Sequence, residues 1–336
     1  MEHQPDKERG LPAARGVNMH WLICLVALIF VASGASWAQE ARPWDLSVRA
    51  FSEFSDNVSL APGRGAGQPE RASLAYGALV SGIYRVYRDE RWTAGAGATV
   101  FHKEQVEDEV DGFSVSSFQP GVFVENRAEP FTVPTTTRLR YDFRRDLVGG
   151  DGFETRHSAD GSVQIRAIPT IAVGPTFGLA FKDFDDEGSD PSVTSRDAVR
   201  PSVGVSATYY VLGRFPGLTV SYYFARNIAD GDNFDFESHT VRGRGFILLY
   251  VPTPTTSGRL PLLIAPQVSY SKVDYFNFET RPRRQEDNLS LGISFNLSLD
   301  RNLAVDLSYT HATSASSRSA FDTRRNLVVL GLNYRF

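Results

Sequence analysis

The chain has 336 residues, with 35 Lys and Arg against 39 Asp and Glu and a formal net charge of −4. That mild acidity argues against a nucleic-acid binder, whose binding face is basic. Hydrophobic residues make up 42% and mean hydropathy is −0.23, yet Phe (23), Tyr (13) and Gly (28) are abundant. Such a composition fits an all-β outer-membrane barrel, because lumen-facing residues dilute its hydropathy.

Trp21 to Ala32 is an apolar run, followed by small residues at Ser36 and Ala38 and preceded by Lys7, Arg9 and Arg15. Together these read as a secretory signal cleaved after Ala38. A transmembrane helix needs about 20 apolar residues, so the run is short for an anchor. The expected organisation is therefore a signal at 1–38 and one barrel domain at 39–336. The single cysteine, Cys24, falls inside the signal. No disulfide or thiolate metal site is then available to residues 39–336, and Ile23 in front of Cys24 argues against lipid attachment. No cofactor or metal is expected.

Period-two alternation marks strands along the rest of the chain. In chain order they are expected at about 44–55, 73–88, 92–103, 113–126, 135–147, 156–168, 170–184, 197–211, 217–229, 237–251, 261–275, 286–299, 303–313 and 323–336. The clearest sets Leu289, Leu291, Ile293, Phe295, Leu297 and Leu299 against Asn288, Ser290, Gly292, Ser294, Asn296 and Ser298. Each strand is long enough to cross a bilayer at a tilt, which takes about 9 to 11 residues. A soluble sandwich is disfavoured, since its strands average about 5 or 6 residues. Connections alternate between short turns, such as 89–91 and 300–302, and longer polar segments, such as 56–72, 104–112 and 185–196. Short turns face the periplasm and long loops face outward in such barrels. Both ends of the barrel are then periplasmic and the strand count is even. The last strand carries Val328, Leu330, Leu332, Tyr334 and Phe336 on one face, an exposed apolar edge unless it closes against another strand. The expected fold is an up-and-down antiparallel transmembrane barrel of about fourteen strands, closed by 323–336 pairing with 44–55.

Outward parity collects Trp44, Tyr84, Trp92, Tyr209, Tyr222, Tyr270, Tyr309, Tyr334 and Phe336 near strand ends, as membrane girdles. Inward parity collects Arg138, Arg140, Arg144, Arg166, Arg200, Arg242 and Arg244 as lumen-lining candidates, with Arg49, Arg85, Arg156 and Arg335. Opposing them are Asp45, Glu53, Glu125, Asp142, Asp160 and Asp306. Charged walls select permeants of opposite sign, so an open lumen of this kind would favour anions. Alternatively, the arginines pair with those carboxylates and fill the interior. Asp183, Asp185 and Glu187 loosely match a calcium loop, but Thr194 stands where a bidentate Glu is required. His157, His239 and His311 sit on the lipid-facing parity, and His311 with Ser314 is a hint of a nucleophilic pair. Without an orienting third group it assigns no catalytic residue.

Two patches carry a family resemblance. Phe54-Ser55-Asp56-Asn57-Val58 resembles the entry to the first outer loop of barrels linked to tetratricopeptide repeats. Phe321-Asp322-Thr323-Arg324-Arg325-Asn326, leading into the last strand, resembles the surface lipoprotein assembly modifier family, which pairs a periplasmic repeat domain with a fourteen-strand barrel. That domain is not seen in 39–336. Tyr334 and Phe336 resemble the sorting signal read by the barrel assembly machinery. The resemblance implies as partners that machinery and its periplasmic chaperones, and leaves room for a periplasmic repeat protein or exported cargo. Location alone implies outer-membrane lipid and lipopolysaccharide as surroundings. The leading functional expectation is a conduit for solute, polymer or polypeptide. A non-conducting accessory to lipoprotein display and a lipid-modifying enzyme are the alternatives.

Overall fold

A computed structural model of the protein describes residues 43–57, 72–185, 195–211, 215–252, 259–276, 283–318 and 321–336. The expected signal, Cys24 and most of the outer loops at 58–71 and 186–194 lie outside the described residues. The strands are β1 (Trp44–Ser55), β2 (Ser73–Arg88), β3 (Trp92–Gln105), β4 (Val115–Ala128) and β5 (Thr135–Val148). They continue as β6 (Asp151–Ile168), β7 (Ile171–Phe184), β8 (Ala198–Val211), β9 (Phe215–Ala229) and β10 (Phe236–Gly245). The remainder are β11 (Ile247–Pro252), β12 (Arg259–Tyr275), β13 (Gln285–Ser298), β14 (Leu303–Ser316) and β15 (Thr323–Arg335).

Neighbours in the chain are neighbours in the sheet, all antiparallel, and β1 pairs with β15 from Ser47↔Arg335 to Ser55↔Leu327. The ring closes as expected. β10 and β11 are two halves of one stave, interrupted at Phe246, and both pair with β12, so the ring has fourteen staves. Among the described residues three short 3-10 turns, Asp108–Phe113, Pro130–Thr132 and Asp232–Phe234, lie between strands.

Alternation decides which residues meet which environment. On β5 the outward Leu139 and Tyr141 are exposed while the inward Asp142 and Asp146 are buried. The same inversion holds for Val122 (54% exposed), Phe177 (50%), Val203 (57%) and Leu330 (54%). Burying such a surface requires hydrocarbon outside the ring, since no soluble monomer exposes apolar area this continuous.

The periplasmic turns are specified locally. Asp89 Oδ1 accepts from the backbone N–H groups of Arg91 (2.8 Å) and Trp92 (2.5 Å). Asp300 Oδ1 repeats the device with Asn302 (2.6 Å) and Leu303 (2.7 Å), the side-chain mimicry that makes Asp a turn former. At the outer end one expectation is corrected. The segment between 147 and 156 is not a loop: β5 and β6 run on to a two-residue turn, Gly149 at φ 63 and Gly150 at φ 90. Positive φ at both central positions is the type I′ geometry that matches strand twist, and glycine adopts it without a Cβ penalty.

Candidate functional site: the lumen wall

On the seam side of the lumen, charges are matched across strands. Arg49 on β1 forms an ion pair with Asp306 on β14, reaching over β15. Gly331 lies between them, and a Cβ there would stand 2.7 Å from Asp306 Oδ1 and 2.8 Å from Arg49 Nε. Asp45 holds both Arg85 and Arg335 at 2.5 Å, and Lys103 binds Glu53 at 3.0 Å.

On β4 to β6 the matching is within a strand. Arg127 pairs with Glu125 (2.8 Å), Arg140 with Asp142 (2.6 Å), Arg144 with Asp146 (2.8 Å) and Arg156 with Glu154 (2.6 Å). Each partner is two residues away, on the same face of the pleat. On β5, β7, β8 and β10, four lumen cations have no acid at that position. Arg138 is flanked by Thr136 and Arg140, Lys182 by Ala180 and Phe184, Arg200 by Ala198 and Ser202, and Arg242 by Thr240 and Arg244. Among the described residues these four, with Arg244, form no ion pair. The arginines instead lie over aromatic rings: Arg138 on Phe123 (5.5 Å), Arg200 on Phe236 (5.8 Å), Arg242 on Tyr223 (5.6 Å) and Arg244 on Phe246 (5.0 Å). A ring face accepts a cation without neutralising it. Arg166 sits lower, at the periplasmic rim, donating to the Pro169 carbonyl (2.5 Å) and stacking on Tyr210 (4.4 Å).

The lumen candidates thus divide. Arg140 and Arg144 are neutralised, Arg166 caps a turn, and Arg138, Arg200, Arg242 and Arg244 make an uncompensated wall across β5 to β10. Arg138, Arg242 and Arg244 are exposed to the lumen. Lys182 belongs to the same wall and was absent from the sequence-derived set, although the inward parity of β7, running Ala172, Gly174, Thr176, Gly178, Ala180, Lys182, marks it. A cavity of about 260 Å³ opens on this wall, lined by Arg138, Arg140, Asp160, Ser162, Thr176, Ser202 and Tyr223. Thr176 Oγ1 is buried there with no hydrogen-bond partner.

Outside, five tyrosines each reach a polar group on the next stave: Tyr76 to Glu104, Tyr141 to His157, Tyr222 to His239, Tyr270 to Asp287 and Tyr309 to Asn326. Phenol with a polar clasp suits a headgroup boundary. This occupies the histidines of the possible nucleophilic sites. His311 Nδ1 meets Asn326 Oδ1 at 2.8 Å, and Ser314, three residues on, has the opposite parity, so no His–Ser pair forms.

A ring that is apolar outside, wet and charged inside, and belted with tyrosine has one environment that suits it. The chain is a transmembrane β-barrel of the cell outer membrane. No protein-family model matches it, and no curated protein is similar to it in sequence. Among solved structures it is similar to OccAB3 of Acinetobacter baumannii, with 9% identity and a TM-score of 0.45 over 87% of this chain and 98% of that one. A bacterial polysaccharide outer membrane secretin gives 12% and 0.44 over 87% and 98%. The outer membrane protein OpdK of Pseudomonas aeruginosa gives 10% and 0.43 over 87% and 98%.

Proposed function

We propose that the barrel is a solute channel favouring anions, with Arg138, Arg200, Arg242 and Arg244 as its selective wall. The observation that carries this reading is the group of cations on β5, β8 and β10 without a carboxylate within ion-pair distance among the described residues. A wall of one sign raises the local concentration of the opposite ion and lowers that of its own. An anionic polymer would meet the same wall. The two patches that carry the family resemblances support no second reading, because they contact one another at the seam and contribute to closure there.

Planar-bilayer conductance tests the channel. In a KCl gradient the expected reversal potential has the sign of chloride preference, and replacing Arg138, Arg242 and Arg244 by Ser moves it toward zero. Absence of current overturns the channel, and an unchanged reversal potential in the triple variant overturns the role of those residues.

For biogenesis, Tyr334 and Phe336 are proposed as the segment read by the barrel assembly machinery and its periplasmic chaperones. Their rings pack edge to face at 4.8 Å, and the Phe336 N–H donates to the Leu46 carbonyl at 3.0 Å. Phe336→Ala is expected to lower the amount of folded barrel in outer-membrane fractions several-fold while leaving the refolded protein's spectrum unchanged. Equal amounts in membranes would refute the assignment.

A further inference from the structure

Three adjacent staves place like charges directly opposite one another inside the lumen. Arg144 on β5 faces Arg156 on β6, and Arg156 faces Lys182 on β7. One strand further, Arg200 on β8 faces Ala180, diagonal to Lys182. Like charges opposite each other in a ladder repel, so the row needs counter-charge. A second row supplies part of it. Asp146 faces Glu154, and these acids hold Arg144 and Arg156. The acid row then stops, because the residue facing Glu154 on β7 is Phe184. Lys182 and Arg200 are therefore the members that form no ion pair among the described residues; Glu154, already paired with Arg156, acts on Lys182 only from beyond ion-pair distance. Both are half-buried, Arg156 and Arg200 act on Lys182, and Arg242 acts on Arg200 from β10.

We infer that Lys182, Arg200 and Arg242 form a binding site for a divalent tetrahedral oxyanion of the phosphate class. The charge count selects the class. Arg156 with Glu154 is neutral as a pair, leaving three uncompensated cations, and a monovalent ion such as chloride or acetate leaves two of them facing each other. A dianion offers several oxygens, enough for two guanidinium forks and one ammonium at once. The ring faces of Phe236 and Tyr223, over which Arg200 and Arg242 lie, hold the forks without occupying their charge. This inference names the preferred solute of the proposed channel and rests on that reading for its biological meaning, but binding itself does not require conduction.

The test is titration calorimetry of the full chain in detergent with inorganic phosphate at about pH 7.4, where the phosphate dianion and the Lys182 ammonium both predominate, set against acetate at equal concentration. Saturable phosphate binding with one site per barrel is expected, with acetate competing at least tenfold less well. Lys182→Gln and Arg200→Gln should each weaken phosphate binding about tenfold or more, Lys182→Arg should retain it, and Arg91→Gln in a periplasmic turn should not alter it. Heat-modifiable migration in gels verifies that each variant is folded. Absence of saturable binding, equal competition by acetate, or full affinity in folded Lys182→Gln and Arg200→Gln overturns the site. Bilayer current measured on the same preparation separates the two claims. Binding without current removes the channel and keeps the site, whereas current without binding keeps the channel and removes the site.

Discussion

Asn326 uses nearly all its hydrogen-bonding capacity at the outer end of the seam. Its backbone N–H donates to Asp56 Oδ1 (2.6 Å), its amide to Asp56 Oδ2 (2.5 Å), and its side-chain oxygen meets Tyr309 and His311, each at 2.8 Å. Asn57 adds a bond to the Arg324 carbonyl at 2.9 Å. The two patches that stood out in the sequence are thus the two halves of one clasp. Their composition was legible and their contact was not, because Asp56 and Asn326 are 270 positions apart. Bonds from Asn326 hold the Asp56 carboxyl below its ordinary value. With the folded value depressed, the clasp's stabilisation is fully present above the unfolded carboxylate range, near pH 4, and is lost as pH falls through the folded value. Thermal unfolding in detergent is expected to show this acid sensitivity in the native chain and less of it in Asp56→Asn. Asn326→Ala should cost about 1–2 kcal/mol at pH 7, the scale of a lost charge-assisted hydrogen bond. Equal melting of native and variant chains would remove the clasp from the account.

Strands were the most legible level, because membrane outside and water inside force period two along whole staves. The departure at β5 and β6 has a local cause. Residues 148–155 lack apolar alternation and read as loop, yet Gly149-Gly150 can make the tightest hairpin turn and the strands extend to meet it. Replacing both glycines by Val forces β-branched residues to positive φ, a penalty of about 1–2 kcal/mol each. The melting temperature should fall accordingly; an unchanged value would mean the turn has another geometry in solution. Gly331 has a different reason, since it leaves room for Arg49 and Asp306 to meet over β15.

For the whole molecule, parity sorted the arginines inward, and the same-strand spacing of acids two residues away separates many neutralised cations from free ones. What the sequence could not show is matching across the ring, such as Arg49 with Asp306, 257 positions apart. That pair neutralises Arg49 on the seam side of the lumen. Asp306→Asn is expected to release Arg49, strengthening anion preference in bilayers while lowering stability by about 1–3 kcal/mol, between the values for exposed and buried pairs. Weaker anion preference would contradict the assigned balance of charge.

The break at Phe246 has a consequence for association. Closing a sheet into a ring ordinarily leaves no strand for another chain to join. Here β9 is hydrogen-bonded to β10 as far as Gly245, with one further bond from the Phe246 N–H to the Gly217 carbonyl at 2.9 Å. Beyond it, among the described residues, β11 pairs with β12 alone. Ile247, Leu248, Leu249, Tyr250 and Val251 are all exposed. Among the described residues the cylinder is therefore locally a ribbon two strands wide at its periplasmic rim, where the outer edge of β11 is not tied to β9 by the ladder that joins every other stave to its neighbour.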